Sequence, residues 1–91
     1  MSEIHLHRKH KLGLRKAREA AQKVADDMAG TFDMDSEWHG NSLHFSRSGV
    51  TGLLKVSKDR VVLDAKLGFL LAAFKPRIEE RLEKEFDRYF A

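Results

Sequence analysis

Apolar positions change their spacing within the last third of the chain. Val61, Leu63, Ala65 and Leu67 recur at every second residue, whereas Ile78, Leu82, Phe86 and Tyr89 or Phe90 recur every three to four. The first period is that of a half-buried strand and the second that of one helix face. A strand therefore hands over to a helix across residues 68–74. Pro76 stands in the first helical turn, where its missing N–H is no loss, and Glu80 and Lys84 form a favourable pair one turn apart.

Upstream, Ile4, His5, Leu6 and His7 alternate, which predicts a short first strand that Lys11, Leu12 and Gly13 interrupt. From Leu14 the period is helical. Leu14, Ala17, Ala21, Val24, Ala25 and Met28 share one face, opposite Arg15, Lys16, Glu19, Lys23 and Asp26, and Gly30 is the expected C-terminal stop. Small residues at Ala17, Ala20, Ala21 and Ala25 let this helix sit close to a sheet. Phe32, Met34, Ser36 and Trp38 then alternate with Asp33, Asp35 and Glu37, and a turn at 39–42 leads to Leu43 and Phe45, which predicts a hairpin. After a second turn at Ser48 and Gly49, Val50, Gly52, Leu54 and Val56 share a face, and 57–60 turn the chain into the last strand. Loops this short join antiparallel neighbours, because parallel ones need crossovers of about a dozen residues. The predicted order β-α-β-β-β-β-α is an α+β fold, a two-layer sandwich of mainly antiparallel sheet packed against two helices, in a single domain over 1–91.

A chain of 91 residues buries a modest core, which favours a surface or shallow groove over a deep active site. No apolar run approaches the roughly 18 residues of a membrane span. The N-terminal residues lack the apolar stretch of a secretory signal, so the expected location is cytoplasmic. Without cysteine there is no disulfide framework, thiol nucleophile or cysteine zinc site. The net charge is +3, and six basic residues, Arg8, Lys9, Lys11, Arg15, Lys16 and Arg18, crowd into eleven positions. That cluster suits an anionic partner. Nucleic acid is disfavoured, because Glu19, Asp26 and Asp27 dilute the helix and Phe32, Trp38 and Phe45 fall on strand positions that read as buried, leaving no stacking platform.

The candidate chemistry is sparse. His5 and His7 share a strand face with His10 nearby, but no third ligand stands at a diagnostic spacing and Arg8 and Lys9 flank them, so they read as solvated strand residues and no metal site is expected. Asp33, Asp35 and Glu37 line one strand face and serve solubility, since acid–base work needs burial or coupling to shift a carboxyl pKa. The serines lie outside any G-x-S-x-G context, and Gly49 and Gly52 form no phosphate loop. No catalytic or cofactor-binding residue is therefore expected, and the chain is not expected to be an enzyme. The apolar patch Phe69, Leu70, Leu71 and Phe74 is different. Part of it must pack as core, and any exposed remainder beside Lys66, Lys75 and Arg77 offers a contact for a second subunit, a lipid-like ligand or a hydrophobic particle.

Four motifs carry a family resemblance: K-H-x-L-G at 9–13, F-x-R-S-G-V at 45–50, L-D-x-K-L-G at 63–68 and I-E-x-x-L from Ile78. With the residues around them, the chain resembles the polyhydroxyalkanoic acid system protein family over nearly its whole length. The resemblance implies a small bacterial accessory protein of polyhydroxyalkanoate storage, non-enzymatic and without catalytic residues to carry over. Joined to the patches, it predicts contact with a granule surface or granule-associated protein. A homodimer and a small lipid- or hydroxyacyl-binding module of helix-grip-like architecture are the alternatives. In that architecture Trp38, Phe45, Leu54, Leu63, Ile78, Leu82 and Phe86 are expected to fill the space between the layers and leave no cavity.

Overall fold

The computed structural model describes residues 2–90, with the side chains of Ser2, Thr31 and Leu70 outside the description. Five strands, β1 (Ser2–Lys9), β2 (Asp35–His39), β3 (Ser42–Arg47), β4 (Val50–Val56) and β5 (Arg60–Leu67), form one sheet. Helix α1 (Gly13–Phe32) follows β1, and a 3-10 turn (Phe69–Phe74) leads from β5 into α2 (Lys75–Tyr89). The sheet order is β1-β5-β4-β3-β2, and every pairing is antiparallel. The meander of the last four strands is as expected from their short loops. The first strand pairs with the last, from Ser2 opposite Leu67 to Lys9 opposite Arg60. Helix α1 then carries the chain from that edge of the sheet to the other.

Alternation along each strand decides which face is covered. Ile4, Leu43, Leu54, Val61, Leu63 and Leu67 point inward and are essentially inaccessible, as are Phe86 and Phe90, while Ala17, Ala21 and Val24 are buried on α1. Each large side chain removed from water contributes about 1.5–3 kcal/mol, and a one-residue slip of a strand would turn that strand's inward side chains outward. The other sheet face carries Asp35, Glu37, His44, Thr51, Lys55 and Lys66, all exposed. The result is the expected two-layer α+β sandwich.

Three local expectations need correction. Helix α1 does not stop at Gly30 but continues to Phe32, and Asp33 takes the left-handed cap conformation at φ 55° and ψ 45°, its N–H donating to the Ala29 carbonyl at 2.9 Å. Packing of Phe32 against the core, together with buried Met28, outweighs the roughly 1 kcal/mol cost of an interior glycine. Phe32 is therefore helical and Asp33 lies outside β2. Leu14, assigned to the buried helix face, sits in the first turn and is 37% exposed. Trp38 is only partly buried, because its indole N–H donates to Gln22 Oε1 at 2.7 Å and the Arg18 guanidinium covers the ring at 4.7 Å.

Candidate functional site

The site is built where the chain passes from sheet to helix. The Gly68 N–H donates to the Gly49 carbonyl at 2.7 Å, fastening the end of β5 to the β3–β4 turn. Gly49 has a φ of 87°, a conformation that L side chains rarely adopt, and a Cβ there would come within 3.2 Å of Leu71 Cδ1. That close seat turns Leu71 inward, where it packs against the core. Phe69 points the other way and is 89% exposed, and Phe74 is 46% exposed. The expected patch is thus divided between an inward Leu71 and an outward Phe69 and Phe74, while the Leu70 side chain lies outside the described residues. Lys66, on the outer sheet face, and Arg77, at the start of α2, are exposed, whereas Lys75 pairs with Glu79 at 3.6 Å.

Behind this rim the two layers part. Between the sheet and the middle of α2 the unfilled space is about 20 Å³, with Phe45, Leu54, Leu63, Leu82 and Phe86 among its walls. That is room for about one water molecule, so the centre is nearly filled. At the end beyond it lies a groove of about 530 Å³. Met28 and Phe32 from the end of α1, Val50 from β4, and Leu71, Phe74 and Ile78 form most of its apolar wall. Met34 completes that wall, and Arg47, Arg77 and Arg81 supply the polar lining. The expectation of a sandwich without a cavity fails here. Ile78 only partly covers this end, and the 3-10 turn crosses from one layer to the other beside it.

The three arginines differ in their attachments. Arg47 Nη1 donates to the Phe32 carbonyl at 2.8 Å, satisfying a backbone acceptor at the end of α1 and anchoring the guanidinium at the groove. Arg81 Nε donates to Glu85 Oε1 at 3.0 Å. Arg77 is exposed and has no ion-pair partner among the described residues.

Glu85 is 4% exposed and was not singled out by sequence reasoning, because it lies among the charged residues of an amphipathic helix. Burial pushes its carboxyl above the usual range, and the hydrogen bond and charge of Asp27 push it further, against the pull of Arg81. Its Oε2 is buried and meets no donor. Burial and the neighbouring Asp27 both favour the protonated form of this carboxyl. The Tyr89 hydroxyl donates to Asp27 Oδ2 at 2.9 Å, and this bond, followed by that to Glu85, holds the Asp27 carboxyl below its usual value. The same bond raises the Tyr89 phenol. This cluster ties α1 to α2 outside the groove.

Three of the basic residues between Arg8 and Arg18 have partners within the chain. Arg8 pairs with Asp87 of α2, Arg15 with Glu19 at 3.7 Å, and Arg18 lies on Trp38, leaving Lys9, Lys11 and Lys16 exposed around them. His10 is not solvated: it is 7% exposed, its Nδ1 accepts the Leu12 N–H at 3.2 Å, and its ring lies 5.6 Å from that of Phe90. His5 is exposed and bonds Asp64 at 2.5 Å, with Glu3 at 3.5 Å. Those two acids, Asp64 first, raise its pKa. Among the described residues no group of three or more potential ligands is placed to hold a metal ion. No helix among them is long and apolar enough to cross a membrane.

The molecule is a small α+β domain whose antiparallel sheet holds a C-terminal helix, with an apolar groove at one end and exposed phenylalanines beside it. It belongs to the family described as "putative polyhydroxyalkanoic acid system protein", whose model matches residues 4–90. No curated protein and no solved structure matches the chain.

Proposed function

We propose that this protein is a non-enzymatic accessory of polyhydroxyalkanoate storage that attaches to the granule surface by the 3-10 turn between β5 and α2. The observation that carries this reading is the 89% exposure of Phe69, against at most 46% for any other large apolar side chain among the described residues, that one being the neighbouring Phe74. A storage polyester presents an apolar surface, and sinking one such ring into it gains about 1.5–3 kcal/mol. Exposed Lys66 and Arg77 flank the turn and suit anionic groups at that surface. In the cell the protein would be cytoplasmic and granule-associated.

A homodimer through the same turn is the weaker reading. A two-fold contact centred there would bring the cations of one copy towards those of the other. A granule-associated protein with an acidic, apolar contact is the remaining partner class.

The test is the fraction of a tagged copy recovered with purified granules. Phe69→Asp should lower it by about tenfold or more, the equivalent of the lost burial energy. Thermal stability should stay within about 0.5 kcal/mol of the parent, as for other exposed positions. Unchanged recovery of a folded Phe69→Asp protein overturns the reading, and a dimer seen by sedimentation and broken by the same change replaces it.

A further inference from the structure

We infer that the groove between the end of α1 and the start of α2 is a binding site for one alkanoate, an aliphatic chain ending in a carboxylate. Its volume of about 530 Å³ falls in the range of about 300–1,000 Å³ typical of small-ligand pockets. Its composition specifies the ligand. Seven of the ten lining residues are apolar, the other three are arginines, and none is acidic. The apolar wall accepts a chain and supplies it with no hydrogen-bonding partner. An anionic head is the complement of the arginines.

A carboxylate suits them better than a neutral alcohol or ester. Guanidinium presents a planar fork of donors that matches two carboxylate oxygens, and such charge-assisted bonds are about twice as strong as neutral ones. Arg47 is held in place by its bond to the Phe32 carbonyl, which uses one of five N–H donors and leaves the others for a ligand. Arg77 has no carboxylate of its own among the described residues. Arg81 is already engaged by Glu85 and contributes charge to the rim. The apolar wall comes from α1, Met34, β4, the 3-10 turn and Ile78, and the cations from the end of β3 and the first turns of α2.

This inference shares Phe74 and Arg77 with the attachment surface but can be tested apart from it. Phe69 does not line the groove, whereas Arg47 lines it and lies away from the 3-10 turn in sequence.

The test is titration of the full chain with sodium decanoate below its aggregation concentration, followed by heteronuclear NMR, with decanol as the neutral control. Saturable one-to-one binding, with shifts at Met28, Val50 and Ile78 and an affinity about tenfold above that for decanol, is the expected result. Arg47→Glu and, separately, the exposed Arg77→Glu should each weaken decanoate about tenfold and leave decanol almost unchanged. Having both variants keeps the test valid should one fail to fold. Phe69→Asp should bind decanoate like the parent whether or not it leaves granules, so loss of granule binding and loss of the alkanoate site are read separately. Absence of saturable binding, equal affinity for decanoate and decanol, or undiminished decanoate binding by both folded arginine variants overturns the proposal. So does a dimer whose formation excludes decanoate, since a second copy would then be the occupant.

Discussion

The ring of Phe45 occupies the space that a side chain on Gly52 would need. The two residues face each other across β3 and β4 on the inner side of the sheet, and a Cβ at position 52 would overlap the Phe45 ring edge. The absence of a side chain on one strand is what lets an aromatic lie flat from its neighbour. Gly52→Ala should therefore destabilise the fold by about 1–3 kcal/mol, the cost of overpacking. Phe45→Leu in the same chain should recover part of that loss, and denaturant unfolding of the four proteins measures the coupling. Additive effects would show that the two positions do not compete for space.

The end of α1 gives a second, opposite pair of expectations. Gly30 lies inside the helix, and a methyl group added there would meet nothing within 4 Å, so Gly30→Ala should stabilise by about 1 kcal/mol. Asp33 holds the left-handed position at φ 55°, so Asp33→Gly should also stabilise, by about 0.5–1 kcal/mol. Were Gly30 the cap, Gly30→Ala would destabilise. Thermal melts of the two single variants decide between these ends of the helix.

These positions also show what could be read from residues alone. The inward faces of the strands were legible because alternation in 61–67 and 50–56 leaves only one face that can be buried, and Pro76 marked the start of the last helix. The helix end at Phe32 was not, since a glycine stop and an interior glycine look alike until tertiary packing of Phe32 chooses between them. Phe69 and Phe74 were visible as an apolar run, but only the seat of Leu71 against Gly49 decides which members face out. The groove had no local signal. It is space left between elements distant in sequence, and Arg47, Arg77 and Arg81 meet it from separate segments. His10 and Glu85 were hidden for a related reason: a polar residue in a polar stretch reads as solvated, although docking of α2 buries both.

His5 should titrate above 6.5, because the Asp64 carboxylate, and after it Glu3, favours the charged imidazole. A base whose folded pKa is raised contributes stability that is fully present below its unfolded value and is lost as pH rises through the folded value. The contribution is small and screened by salt at so exposed a site. NMR titration of the His5 ring should show the raised midpoint, and Asp64→Asn should move it down more than Glu3→Gln does. An unchanged midpoint in Asp64→Asn would mean that the 2.5 Å contact does not persist in solution.

Glu85 works in the reverse sense from an ordinary surface carboxylate. Its pKa is raised above 4.5, so as pH climbs from that value the unfolded chain releases this proton while the native chain retains it, and stability falls until the folded value is passed. Asp27 has the opposite sign, its stabilising effect being present above 3.8 and lost as pH falls. Glu85→Gln removes the cost of ionising the buried group while keeping an oxygen for Arg81 and adding an N–H donor for Asp27. At pH 7 the variant should be more stable than the parent by about 1 kcal/mol, the scale of one unmet buried polar group. By pH 4 the advantage should shrink, because Glu85 is then protonated in the folded parent and satisfies Asp27 itself. Urea midpoints at both pH values measure the difference, with Asp27 present in each protein. A variant less stable than the parent at pH 7 would show that the ion pair with Arg81 outweighs burial, and that the carboxyl enters the fold charged.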